Sequence, residues 1–415
     1  MDRRVLFAAL ILFAGGATGV SVALFAFVGV DDATTDATVV WESDPAVGDD
    51  GSGAVIATVD GDPLLLRPAV ENESRVVRAT VAGTDEDAWT TPVSGPDAER
   101  GGGSGDLNDS DAAPVAVSGL VNGTVGGDPA VALTTTSGSL VVIDATDGTV
   151  RFAVDVGGPS GLRPAVGDLT GDGNAEVAAV ATDGSVRVFD AEGEAVVETS
   201  VPGEVTRRPL LVEPDADIDA RGGLAVLTSA GDPATIHMFD ERGETRWTTT
   251  PNVNPLSWNA ADSQNGPIIA LGGANGNLET VETSDGSLRY EIGLQDRPVA
   301  VGDADPGRVY VGGSGSVWAV SLLDGEVVWK QQYGASTRIN EPRIGDVDGD
   351  GDIGPVAVNR EGEALAMTRT GSVIARGGPD GVVAYAGPLF ADVTGDGGDE
   401  VIVVTDDGTA IALDT

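Results

Sequence analysis

The sequence predicts an all-β chain: an eight-bladed β-propeller, with seven blades as the fallback, closed by an N-terminal strand and preceded by one N-terminal transmembrane helix. Three observations lead there. A unit of about 45 residues returns along the chain, Gly and Asp turns cut each unit into four short alternating strands, and the last unit is one strand short.

The clearest copy starts at Pro164 with Pro-Ala-Val-Gly-Asp, followed by an acidic glycine-rich loop and Glu176-Val-Ala-Ala-Val-Ala. Asp183-Gly184 then leads into Ser185-Val-Arg-Val-Phe-Asp190, and Gly193 into Glu-Ala-Val-Val. Alternation and turn chemistry make these four strands. Further copies start at Pro298, Pro342 and Pro388, and fainter ones near Pro45, Pro114, Pro209 and Pro255. The interval from Pro45 to Pro114 is the long one, because a Gly-rich, acidic insertion around 95–113 interrupts it; its composition reads as disordered. The final unit supplies three strands before Thr415, so the fourth is expected from Ala37-Thr-Val-Val-Trp41. That strand ends in an aromatic, as do other outer strands at Phe152, Trp247, Tyr290 and Trp329, and these rings are expected to pack between blades.

The propeller is expected over 37–415, after a cytoplasmic N-terminus at 1–4, an apolar segment at 5–30 and a short linker at 31–36. The 5–30 segment is uncharged and long enough to cross a hydrocarbon core of about 30 Å. Arg3 and Arg4 precede it and Asp31, Asp32 and Asp36 follow, an asymmetry that places the body outside the cytoplasm. An uncleaved single-pass anchor in the cell membrane is the first reading. A cleaved export signal, which would make the protein secreted, is the alternative, since Arg3-Arg4-Val-Leu-Phe resembles a twin-arginine motif. A Gly-x-x-x-Gly pair at Gly15 and Gly19 permits close helix approach. Sequons at Asn72, Asn108 and Asn122 agree with an extracytoplasmic body.

Composition removes several function classes. There is no cysteine, hence no disulfide framework, thiolate metal site or thiol nucleophile. The single histidine, His237, lies in an alternating segment where a strand position facing solvent or a neighbouring blade is expected. With 66 acidic residues against 23 basic ones, a net charge of −43 leaves no basic face for nucleic acid. Lys330 is the sole lysine, and this Asp-rich, Lys-poor balance resembles the proteins of halophilic archaea. At about 1 M salt the Debye length is about 3 Å, so such a surface repels itself little.

The loops after the first strand carry the chemistry. Calcium takes about six to eight oxygens, gathered by alternate side chains around a turn that glycine allows. Asp168-Leu-Thr170-Gly-Asp172-Gly-Asn174-Ala-Glu176 offers oxygens at positions 1, 3, 5 and 9, with the Asn174 carbonyl at 7. Asp392-Val-Thr394-Gly-Asp396-Gly-Gly398-Asp-Glu400 repeats that spacing. Asp346-Val-Asp348-Gly-Asp350-Gly-Asp352-Ile-Gly354 has more carboxylates but a glycine in the ninth place. Structural calcium is expected at all three, whereas Asp215-Ala-Asp217-Ile-Asp219 and Asp303-Ala-Asp305 read as solvated acidic turns.

These loops resemble the FG-GAP/VCBS repeat of integrin-α-like propellers. Ile143-Asp-Ala-Thr-Asp-Gly-Thr-Val-Arg-Phe152 and Val320-Ser-Leu-Leu-Asp-Gly-Glu-Val-Val-Trp329 resemble the PQQ-like, quinoprotein-type repeat. Together the resemblances cover roughly 37–415 and imply the architecture, not the activity. A calcium-binding, non-catalytic module that binds a protein or glycan partner, or acts as a cell-surface scaffold, is the expected function. The alternatives are a PQQ-dependent dehydrogenase and a carboxylate-based polysaccharide hydrolase or lyase. The first is weakened by the missing cysteine pair and by the lack of a basic cluster, evident in sequence, to hold the cofactor's three carboxylates. No constellation of acids singles out the second.

Overall fold

The computed structural model describes residues 35–46, 53–84, 86–93, 116–214, 222–229, 233–333, 338–379 and 381–415. These form eight sheets, each built on four antiparallel strands; seven run in sequence order from the axis outward, the eighth takes its outer strand from the N-terminus, and no helix occurs among the described residues. Numbering blades from the N-terminus, the inner strands are Val55–Val59, Val121–Val125, Ala165–Gly167, Leu210–Val212, Pro255–Ala261, Ala300–Asp305, Arg343–Gly345 and Ala384–Ala391. Each touches the next, and the eighth touches the first, so the ring is closed. The expected segments at 5–30 and 95–113, Asn108, and the acids at 215, 217 and 219 lie outside the described residues.

Alternation sets the layers. Second strands such as Glu176–Val180 are buried along their whole length, whereas outer strands such as Leu288–Gly293 bury one face only. Every pair of neighbouring blades shares its own apolar cluster, from Leu66 and Val131 between blades 1 and 2 to Leu65 and Ile402 between blades 8 and 1. Stability is therefore distributed around the ring rather than held in a single centre.

The glycine of the repeated Val-Gly-Asp has a steric reason. Blade 6's Gly302 backs onto the strand of blade 7, where a Cβ would lie 1.9 Å from the Pro342 carbonyl oxygen. The outer aromatics do pack between blades, in one repeated way. Trp89, Trp247 and Trp329 each donate Nε1–H to a carbonyl of the following blade, Ala145, Thr283 and Arg369, at 2.9, 2.9 and 3.0 Å. Each indole lies against the turn glycine of that blade. At Gly286, with φ of 72°, any side chain would start 2.6 Å from Trp247.

The closing strand is Thr38–Glu42, antiparallel to Ala410–Asp414 with Trp41 opposite Ala412. Blade 1 departs from the sequence reading: its inner strand begins at Val55, not near Pro45. Ser43 and Ala46 are instead buried while the chain crosses from blade 8 to blade 1, and this crossing uses up the residues after Trp41. Thr35–Asp36 adds a short parallel fifth strand to blade 7, which alternation over two residues could not reveal.

Both described sequons are exposed, and one acidic turn changes. Asn72 and Glu73 form a two-residue hairpin turn with φ of 48° and 67°, the region in which Asn is favoured. Asn122 lies in a strand and donates its amide to Ile56 O at 2.8 Å. Asp305 is no solvated turn acid: it is buried, receives Tyr310 Oη–H at 2.6 Å and pairs with Arg369 Nε at 3.0 Å.

His237 is buried in Thr235–Phe239, with Nε2 3.1 Å from Thr228 Oγ1, so the solvent-facing option falls away. Burial pushes its pKa below the ordinary 6.5. The folded state then holds this proton less tightly than the unfolded chain does, so its contribution is intact above pH 6.5 and is lost as pH falls through the depressed value. Replacing His237 by Gln is expected to flatten the fall in melting temperature between about pH 6.5 and 5. Parallel profiles for the two proteins would contradict this.

Candidate metal centres

The turn from inner to second strand carries the acidic loop in blades 3, 7 and 8. Antiparallel connectivity puts these three turns on one face of the disc and the segments leading into the inner strands on the other. The loops bring together Asp168, Asp172 and Glu176; Asp346, Asp348 and Asp350; and Asp392, Asp396 and Glu400. Within each trio one oxygen per residue lies within 4.8 Å of the others.

Blades 3 and 8 build their loops identically. Asp168 accepts from Gly171 N at 2.6 Å and Gly173 N at 2.9 Å; Asp392 accepts from Gly395 N at 2.6 Å and Gly397 N at 3.1 Å. Asp172 accepts from Asn174 N and Asp396 from Gly398 N. The ninth-position acids are buried. Glu176 accepts from Leu169 N at 2.8 Å and from the Thr170 hydroxyl at 3.1 Å; Glu400 accepts from Val393 N at 2.6 Å and from the Thr394 hydroxyl at 2.9 Å. Both glutamates thus brace the loop from beneath as well as facing the cluster. Burial pushes the Glu176 carboxyl upward, against the N–H groups that favour its charged form.

The blade 7 loop has no such brace, and the reason is steric. A Cβ at Gly354 would sit 2.1 Å from Met367 O, so the ninth place has no room for an acid. Blade 8 supplies the support instead: Asp399 N donates to Asp346 O at 2.8 Å and the Thr415 hydroxyl to Val347 O at 3.0 Å. Asp346 Oδ2 accepts from Gly351 N at 3.0 Å, while Oδ1 is shut from solvent with no hydrogen-bond partner among the described residues. Asp352 stands outside the trio and donates its N–H to Asp350 at 2.7 Å. Burial, followed by the charge of Asp350, raises the Asp348 carboxyl; burial, joined by Asp346 and Asp392, raises Asp399. Crowded carboxylates with raised proton affinity suit a hard cation such as calcium.

Sequence reasoning missed a second feature. On the opposite face, Arg163, Arg338, Arg343 and Arg360 line one cavity at the axis. The available signal was positional: arginine directly precedes the blade-starting proline at Arg163-Pro164, Arg208-Pro209 and Arg297-Pro298.

Residues 232–351, well under half of the chain, match the family model described as PQQ_2, outer membrane protein assembly factor BamB. The fold is an eight-bladed β-propeller, and the matched stretch is similar to the PQQ-like repeat. BamB from Moraxella catarrhalis is similar over 91% of this chain and 100% of its own, with 15% identity and a TM-score of 0.57. The C-terminal WD40 domain of Sif2 is similar over 92% and 99%, with 10% identity and a TM-score of 0.64. BBS1N, solved in complex with ARL6DN, is similar over 71% and 90%, with 15% identity and a TM-score of 0.53. As many as 1305 solved chains resemble this propeller, so the likeness specifies architecture and leaves activity open. Among curated proteins none matches.

Proposed function

We propose that this PQQ-like propeller is a calcium-stabilised, non-catalytic binding or scaffold module acting outside the cytoplasm, tethered or exported by the 5–30 segment. The observation that carries the calcium reading is the Asp346 loop, whose buried Oδ1 has no partner among the described residues and stands beside two further carboxylates. The matching geometry of blades 3 and 8 supports it, as does the resemblance of all three loops to the FG-GAP repeat. Structural ions fit better than catalytic ones, because in blades 3 and 8 the same acids also brace the turns. BBS1N, a similar propeller, has been solved in complex with ARL6DN, which fits a protein or glycan partner here, while the net charge of −43 disfavours nucleic acid. The charge of −43 suits a salt-rich setting of the halophilic kind.

Placement is tested on intact cells. Added protease should digest the body while cytoplasmic markers survive, as Arg3 and Arg4 before the apolar segment require. Protection that ends only on lysis would reverse the orientation.

A further inference from the structure

The chain concentrates positive charge at one place. In a protein with 66 acidic and 23 basic residues, the axial cavity of about 320 Å³ is lined by four arginines and one glutamate, Glu341. These arginines come from blade 3 (Arg163) and blade 7 (Arg338, Arg343, Arg360), and meet only because the ring closes. Arg163, Arg208, Arg338 and Arg343 have no carboxylate within ion-pair distance among the described residues. Elsewhere Arg151, Arg289 and Arg376 are paired at 2.5–2.8 Å. Two donors of the lining residues are also shut away from water with no acceptor among the described residues, Arg163 Nε and Asn340 Nδ2.

The charges strain one another. Burial, with Arg343 and Arg208 adding repulsion, pushes the Arg163 guanidinium down to about 10 despite Glu341 and Asp303 nearby. Burial likewise lowers Arg208, whose Nη2 is held by Asn259 Oδ1 at 3.0 Å. A half-buried cation without an ion-pair partner among the described residues, pressed by two further arginines, is under-compensated. Guanidinium forks match planar and tetrahedral oxyanions in bidentate geometry, and burial strengthens that pairing.

We propose that the axial cavity binds a small multivalent oxyanion, carboxylate or phosphate, held by Arg163, Arg338 and Arg343 with Asn340 donating beside them. The anion relieves the repulsion, and it enters from the face opposite the acidic loops. This site is independent of the ions proposed above.

The test is calorimetric titration of the whole ectodomain with succinate and, separately, inorganic phosphate, at micromolar free calcium so that neither anion removes or precipitates the metal. Saturable binding of either is expected, succinate alone marking a carboxylate site and phosphate alone a phosphate site. Arg163→Gln with Arg343→Gln should weaken it at least about a hundredfold, two charge-assisted pairs being lost. Arg242→Gln, at an exposed position remote from the axis, should change nothing. If the double variant fails to fold, Arg338→Gln at its exposed position should still weaken binding about tenfold. Absence of saturable binding for both anions, or affinity unchanged in the variants, would overturn the site.

Discussion

Replacing Arg67 by methionine is expected to lower the melting temperature by about 5–10 °C, through loss of roughly 3–5 kcal/mol. Arg67 is buried in the second strand of blade 1, and its Nη1 reaches three acceptors on the closing segment and blade 8. These are Ser43 Oγ at 2.9 Å, Asp44 O at 3.1 Å and Gly408 O at 2.6 Å. Ser43 in turn joins both chain ends, donating its N–H to Ala410 O at 2.9 Å and accepting from Ala410 N at 3.0 Å. Methionine fills the space but leaves buried acceptors unmet, each at a cost of about 1–3 kcal/mol. Deleting residues 31–44 should act in the same direction and more strongly, because it also bares the edge at Ala410–Asp414. Arg67→Met combined with Ser43→Ala should cost less than the sum of the two, since they share one bond. A deletion that melts like the wild type would show that the ring is held without this strand.

Removing calcium should lower the melting temperature by about 10 °C, even in molar salt. Within each loop carboxylate oxygens approach within 4.8 Å, and two unit charges at 4 Å cost about 4 kcal/mol at an effective dielectric of about 20. An ion that binds only the folded state, at a hundred times its Kd, contributes about 2.7 kcal/mol per site. Salt screens the exposed Asp172 and Asp396 more than the buried Glu176 and Glu400, so part of the effect persists at high ionic strength. Asp172→Ala with Asp396→Ala should remove most of the response to chelator and leave the Asp346 loop as the remainder. The metal-free double variant should melt within a few degrees of the metal-free wild type, because relieved repulsion offsets the lost caps at Asn174 and Gly398. A wild-type melting curve that chelator leaves in place at every salt concentration would reduce these loops to braced turns.

Blades were legible in the sequence because each one repeats a local rule: alternation, then a Gly or Asp turn. The acidic loops were legible for the same reason, since their residues lie within nine positions and the turn alone gathers them. Closure could be read from a missing strand. What escaped depends on contacts between blades. Arg163 and Arg343 are brought to one cavity only when the ring forms; the arginine before the blade-starting proline marks the position of Arg163 but not its meeting with Arg343. Asp305 looked like a turn acid because its partner Arg369 belongs to the next blade. Gly354 could be seen to lack a carboxylate, but the Met367 carbonyl that forbids one could not.

The closing strand also sets a timetable. Ser43 and Ala410 are 367 residues apart, so at about 5–20 residues per second the ribosome delivers the partner roughly 20–70 s later. The strand made first is docked last. During that wait it must neither aggregate nor pair wrongly, and its composition suits the delay. Thr38, Val39, Val40 and Glu42 stay exposed even in the finished ring, so Trp41 is the residue of this strand that gains cover on docking. The nascent chain can stack blade upon blade while its own first strand hangs free, and the whole acquires its final cooperativity in one late step.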